Sequence, residues 1–87
     1  MKVSIKVRYF VTEDETIGNE DLIIETENTL PDAIKTIEKV TGFPLSYKLN
    51  RGYGMLVNGR SYYLLQKEGF TLSEGDKVVI LPKLGGG

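Results

Sequence analysis

Cysteine and histidine are both absent from this chain of 87 residues. Without cysteine there is no disulfide to hold the fold and no thiol nucleophile. Losing histidine as well removes Cys-His and Ser-His arrangements and the commonest soft metal ligands, which leaves carboxylate, hydroxyl and amine groups as the chain's own chemistry. Neither sign of charge is in surplus: 11 basic residues stand against 12 acidic ones, for a net charge of -1. Such balance argues against a protein that holds nucleic acid by neutralising phosphates. No apolar run approaches the roughly 18 residues of a spanning helix, and the opening MKVSIKVRYF is interrupted by charges where a signal peptide needs a continuous apolar stretch. The expectation is a cytoplasmic protein with neither a membrane nor a nucleic-acid partner. The length predicts one domain, with a core that buries about 60 to 65% of the extended chain's surface.

What is present is mainly periodicity. Val3, Ile5, Val7, Tyr9 and Val11 alternate with Ser4, Lys6 and Arg8, a period of two that predicts a strand from Val3 to Val11 with one face on a core. Phe10 falls on the other side and reads as an edge or partner-facing residue. Thr12 to Asp21 is acidic, contains Gly18 and Asn19, and reads as a loop. Leu22 to Thr26 resumes as a strand and closes a first hairpin. Asn28 or Thr29 then caps a helix with Pro31 and Asp32 in its first turn. Its apolar stripe is Leu30, Ala33, Ile34, Ile37 and Val40, with Lys35, Thr36, Glu38 and Lys39 toward water, and Gly42 ends it. Between Phe43 and Tyr53 the pattern supports either a short strand through Leu45, Tyr47 and Leu49 or a pinned loop. Asn58-Gly59 carries the signal of a two-residue hairpin between Met55–Val57 and a strand from Arg60 to Leu65. A Gly-Asp turn leads to a last strand from Lys77 to Leu81, which Pro82 terminates. This order predicts an α+β fold, a mixed sheet of four or five strands packed on one main helix, with the first and last strands parallel at its centre.

The final residues read L-G-G-G. Glycine costs much to order but enters slots too narrow for a side chain, and Lys83 to Gly87 fully extended would reach roughly 15 to 18 Å. A carboxylate on such a thread can be delivered into another protein's active site. The predicted organisation is a domain over 1–82 and a flexible tail over 83–87.

Together these pieces resemble the ubiquitin-like β-grasp sulfur carriers, namely the small subunit of molybdopterin synthase and the thiamine-pathway sulfur carrier. VSIKVRYFV at Val3 to Val11 is similar to the family's opening strand, and TLPDAIKTI at Thr29 to Ile37 to its helix start. LVNGR at Leu56 to Arg60 and LSEGDKVVILP at Leu72 to Pro82 resemble its hairpin and last strand, and Gly86-Gly87 its terminal pair. The resemblance implies that a partner like the ubiquitin-activating enzyme, using its own ATP and Mg²⁺, adenylates Gly87 at its carboxylate, and that sulfur transfer then gives a thiocarboxylate. In the molybdopterin branch the large synthase subunit is the next partner. The chain is then a protein cosubstrate, or the small subunit of a sulfurtransferase, rather than an autonomous enzyme, with no cofactor bound stably and no metal site. The same adenylated terminus would serve a modifier joined to lysines or a thiamine-pathway carrier, and a non-reacting binding module is the remaining alternative. Three glycines suit the thiamine-type carriers, whereas the RYF of the first strand suits the pterin branch. The family's Pro-Pro or Pro-Val before the glycines is here Pro82-Lys83-Leu84.

By the same resemblance Gly85 and Gly86 permit threading, and Leu84 is the last anchoring side chain. A partner that holds the domain while the tail inserts needs an apolar patch beside it. Phe10, Phe70 and Leu81 are the candidates, with Met55 and Tyr63 behind them, and Lys83, Arg60, Arg8 and Arg51 are available to pair with acids. Glu13, Asp14 and Glu15 lack the alternating spacing of a calcium loop. On a strand, Tyr62 and Tyr63 would point to opposite faces and form no joint stacking platform.

Overall fold

Alternation decides the first pairing. In a computed structural model of the protein, which describes residues 1–9 and 21–82, β1 (Lys2–Tyr9) buries Val3, Ile5 and Val7 and turns Lys2, Lys6 and Arg8 to solvent. β2 (Asp21–Glu27) pairs with it antiparallel, from Lys2 opposite Glu27 to Arg8 opposite Asp21. Val11, the loop from Thr12 to Glu20 and the tail from Lys83 onward lie outside the described residues.

The helix α1 (Leu30–Thr41) begins where the sequence places it. Thr29 is the cap: its Oγ1 accepts the Asp32 backbone N–H at 3.2 Å, and Pro31 occupies the first turn, where no internal hydrogen bond is lost. Gly42 ends the helix in the left-handed conformation, φ 76°, and its N–H donates to the Glu38 carbonyl. Leu30, Ala33, Ile34 and Ile37 are buried as predicted. Val40 is not: it is 59% exposed, because the chain reverses at Gly42 and brings Phe43 and Leu45 into the core instead. Thr36, expected in water, is half-buried; it donates to the Asp32 carbonyl and lies 3.1 Å from the buried Thr26 hydroxyl of β2.

The stretch after Gly42 forms neither a strand nor a plain loop but a short helix, α2 (Leu45–Leu49). The Glu38 carboxylate accepts the Ser46 N–H at 2.7 Å and so ties its start to α1, while Leu45 and Leu49 turn inward. β3 (Gly54–Val57) and β4 (Arg60–Ser61) are joined by Asn58-Gly59, with φ of 53° and 85°, the double positive φ of the tight hairpin turn. The strand expected from Arg60 to Leu65 stops after Ser61. Ser61 caps a helix there, α3 (Tyr62–Glu68), through Oγ and the Tyr63 N–H, and Gly69 closes it in the left-handed region. The last strand, β5 (Lys77–Leu81), is where it was expected.

The sheet runs β2-β1-β5-β3-β4, with β5 parallel to β1 and antiparallel to β3. This is the five-stranded β-grasp arrangement. Val7, Val78, Ile80, Met55 and Val57 from the sheet meet Leu30, Ala33 and Ile37 of α1 to form the core, with Leu45 and Leu65 closing its sides. Met55, a secondary candidate for a partner surface, is therefore core at 2% exposure.

Candidate functional site

β5 carries the chain from the middle of the sheet to its margin. It is held on both sides, Ile80 beside Tyr9 and opposite Met55, and Leu81 opposite Gly54, so the residue after Pro82 starts from a fixed point. Under this margin an aromatic string packs end to end. The Tyr9 and Phe43 ring centres are 6.0 Å apart, and those of Phe43 and Tyr53 5.8 Å. The Lys48 ammonium lies 5.4 Å from the Tyr53 ring centre. The Tyr53 hydroxyl is buried with no hydrogen-bond partner among the described residues, a cost that the backbone neighbours do not offset. Tyr53→Phe is therefore expected to raise stability by about 1 kcal/mol, read as a higher thermal midpoint; a lower midpoint would show that the hydroxyl has a partner in solution.

The period of two that buries Val78 and Ile80 turns Val79 and Leu81 to the opposite, open face of the sheet. Register then fixes their neighbours. One rung across this face reads Asp21, Arg8, Val79, Leu56, Ser61. The next rung toward the start of β1 reads Ile23, Lys6, Lys77. On the other side Leu81 faces Gly54, whose missing side chain leaves Leu81 uncovered on that flank. Half-buried Leu56, Val79 and Leu81 thus form an apolar strip leading to the root of the tail, beside cationic Lys6, Arg8 and Lys77. A shallow depression of about 200 Å³ lies between these groups, lined by Lys6, Arg8, Asp21, Lys77 and Val79.

Arg8 is engaged: its Nε and Nη2 donate to the two Asp21 carboxylate oxygens at 2.7 and 3.1 Å. That hydrogen bond holds the Asp21 carboxyl below its ordinary range, with the charges of Lys6 and Lys77 acting in the same direction. Both partners are solvent-accessible, so the pair orients the guanidinium more than it stabilises the fold. Lys6 and Lys77, side by side on adjacent strands, make no ion pair among the described residues.

Of the sequence candidates, Leu81 and Arg8 lie on this face. Phe10, Lys83, Leu84, Gly85, Gly86 and Gly87 fall outside the described residues. Phe70 is partly buried against the core, beside the bridge of Thr29 to Thr71 at the start of α1, at the far end of the domain from Leu81. Arg60 sits opposite core-facing Val57 and donates to the Glu68 carboxylate at 3.1 and 3.0 Å, so it is turned from the open face. Arg51 stacks on Tyr47, 4.8 Å from the ring centre. Tyr62 and Tyr63, on a helix rather than a strand, touch edge to face at 5.1 Å, and the Tyr63 hydroxyl donates to the Leu49 carbonyl; an edge-to-face pair is no stacking platform. Among the described residues no cluster of acidic side chains could hold a metal ion, and no helix is long and apolar enough to cross a membrane. Reasoning from the sequence missed Lys6, Leu56, Lys77 and Val79. Their signal was available for β5, where burying Val78 and Ile80 obliges Lys77, Val79 and Leu81 to share the other face.

The sequence profile of the ThiS family matches residues 7–87. No protein of curated function matches the chain. Among solved structures, the small archaeal modifier protein 1 of Methanosarcina acetivorans superposes with a TM-score of 0.64 at 20% identity, covering 100% of this chain and 99% of that one. The Haloferax volcanii HVO 2177 protein gives a TM-score of 0.63 at 22% identity, covering 99% of this chain and 88% of that one. At these identities the two structures establish the shared fold.

Proposed function

The chain belongs to the ThiS family of ubiquitin-like β-grasp sulfur carriers, and from that premise we propose that it is a protein cosubstrate which reacts at the carboxylate of Gly87. The observation that carries the reading is the position of β5. A strand hydrogen-bonded on both sides gives residues 83–87 a rigid base at the margin of the sheet, and the family match extends through them. A partner can then hold the domain and draw the glycines into a narrow channel, where their missing side chains cost nothing sterically.

The chemistry belongs to the partner, an adenylating enzyme of the ubiquitin-activating type that supplies ATP and Mg²⁺. A Gly87 carboxylate oxygen attacks the α-phosphorus of ATP and pyrophosphate leaves. A hydrosulfide equivalent then attacks the acyl carbon, the bond to AMP breaks, AMP departs, and a thiocarboxylate remains. We assign as its acceptor the dithiolene of the pterin precursor of the molybdenum cofactor, with the large subunit of molybdopterin synthase as second partner. What supports this branch is the long opening strand and its similarity to that subunit's VSIKVRYFV-like start. The sulfur attacks the precursor, and water releases the resulting acyl group as the free carboxylate.

The test is intact mass after incubation with the host's adenylating enzyme, MgATP and sulfide. One oxygen-to-sulfur exchange, located at Gly87 by fragmentation, is the expected result, followed by conversion of the pterin precursor when the large subunit is added. An unchanged terminus would overturn the carrier reading. Gly87 found in isopeptide linkage to lysines would redirect it to a modifier.

A further inference from the structure

The open sheet face poses an electrostatic question that folding alone does not answer. Lys6 and Lys77 stand side by side on the parallel central strands, both exposed, and like charges in neighbouring register positions destabilise a sheet. Arg8, the third cation, is spoken for by Asp21. Beside the two free ammonium groups lie Val79, Leu56 and Leu81, aliphatic and half-buried, continuous with the root of the tail. A free-standing face would be better served by opposite charges at these two positions.

We propose that this face is the docking surface for the activating partner, and that the partner presents an acidic patch whose carboxylates seat between Lys6 and Lys77 while its apolar residues cover Val79, Leu56 and Leu81. The proposal rests on the carrier reading above. Charge complementarity selects the occupant: two unpaired cations beside an aliphatic strip match a protein surface with an apolar centre and a charged rim. A nucleic acid is the poorer match, because the open face of the described strands offers no aromatic ring on which bases could stack and the chain's net charge is -1. Location agrees, since a partner bound here holds the domain beside Leu81, from which the tail departs. In the free protein the paired lysines repel; in the complex they steer association.

Two effects of opposite sign follow. Lys77→Glu places a carboxylate beside Lys6, so the free protein is expected to keep or raise its thermal midpoint, while the KM for this chain in MgATP–pyrophosphate exchange by the adenylating enzyme rises about tenfold and depends less steeply on salt. Lys6→Glu is expected to behave alike. Lys35→Glu and Lys39→Glu, on the exposed side of α1, leave KM unchanged. Wild-type KM in both sheet variants, or an equal rise in the α1 variants, would overturn the docking surface and leave the carrier reading standing. No exchange with the wild-type chain would overturn the carrier reading, and with it the partner assigned here. Binding of a single-stranded RNA by the wild type that is abolished by Lys77→Glu would overturn the proposal in favour of a nucleic-acid face.

Discussion

Gly86→Ala is expected to leave the fold intact and to slow adenylation or sulfur transfer by at least about tenfold. The reason is the width of the path. A tail that must be threaded to bring its carboxylate to the α-phosphorus of ATP tolerates no Cβ at its narrowest point, and a misplacement on the order of 1 Å costs up to about a hundredfold in rate. Deleting Gly87 should abolish transfer, since the acceptor carboxylate would be displaced by one residue. Gly59 provides the contrast. It holds φ 85° in the β3–β4 turn, where an added Cβ meets nothing within 4 Å, so Gly59→Ala costs only backbone conformational energy, about 1 to 2 kcal/mol. That variant should melt earlier and still transfer at the wild-type rate below its midpoint. Single-turnover transfer beside a thermal melt separates the two. Wild-type rates in Gly86→Ala would sink the threading argument.

Ile37→Ala is expected to destabilise the domain by about 2 to 4 kcal/mol, within the usual span for buried large-to-small changes. Ile37 is 1% exposed on the face of α1 that meets the sheet, so the change leaves a cavity against well-packed neighbours. Val40, one turn further on but 59% exposed, should lose no more than about 0.5 kcal/mol as Val40→Ala. The denaturant midpoint at constant slope measures both. Equal losses at the two positions would mean that α1 is rotated about its axis from the arrangement described.

The pair also shows where a sequence pattern stops being informative. Leu30, Ala33, Ile34 and Ile37 follow a helical period that only one face satisfies, and the fold uses them as read. Val40 obeys the same period and is exposed, because burial at a helix end depends on where the next segment goes. Gly42 sends Phe43 and Leu45 back over the core. Between residues 60 and 65 the hairpin turn was legible in Asn58-Gly59, yet the short apolar run after it fits either period. Ser61 as a cap and Gly69 as a left-handed stop were the only local marks of α3, and no alternation outweighed them.

By itself, then, the sequence determined the long elements and the chemistry excluded from them. β1, the start of α1 and β5 each carry enough repeats of one period to leave a single face for the core, and a chain without cysteine or histidine has no thiol or imidazole to offer. It also placed the reactive end, because glycine's lack of a side chain is a property of the residue and not of its surroundings. Tertiary structure alone decided which distant residues share a surface. Phe70 and Arg60 read as well as Leu81 for a partner-facing role, but packing puts Phe70 against the core at the other end and pairs Arg60 with Glu68. Lys6 and Lys77 become neighbours only because β5 inserts in parallel beside β1. The physical reason is range: side-chain periodicity is set within a few residues by backbone geometry, whereas strand order and register are set by the burial of the whole core, which no local stretch of sequence contains.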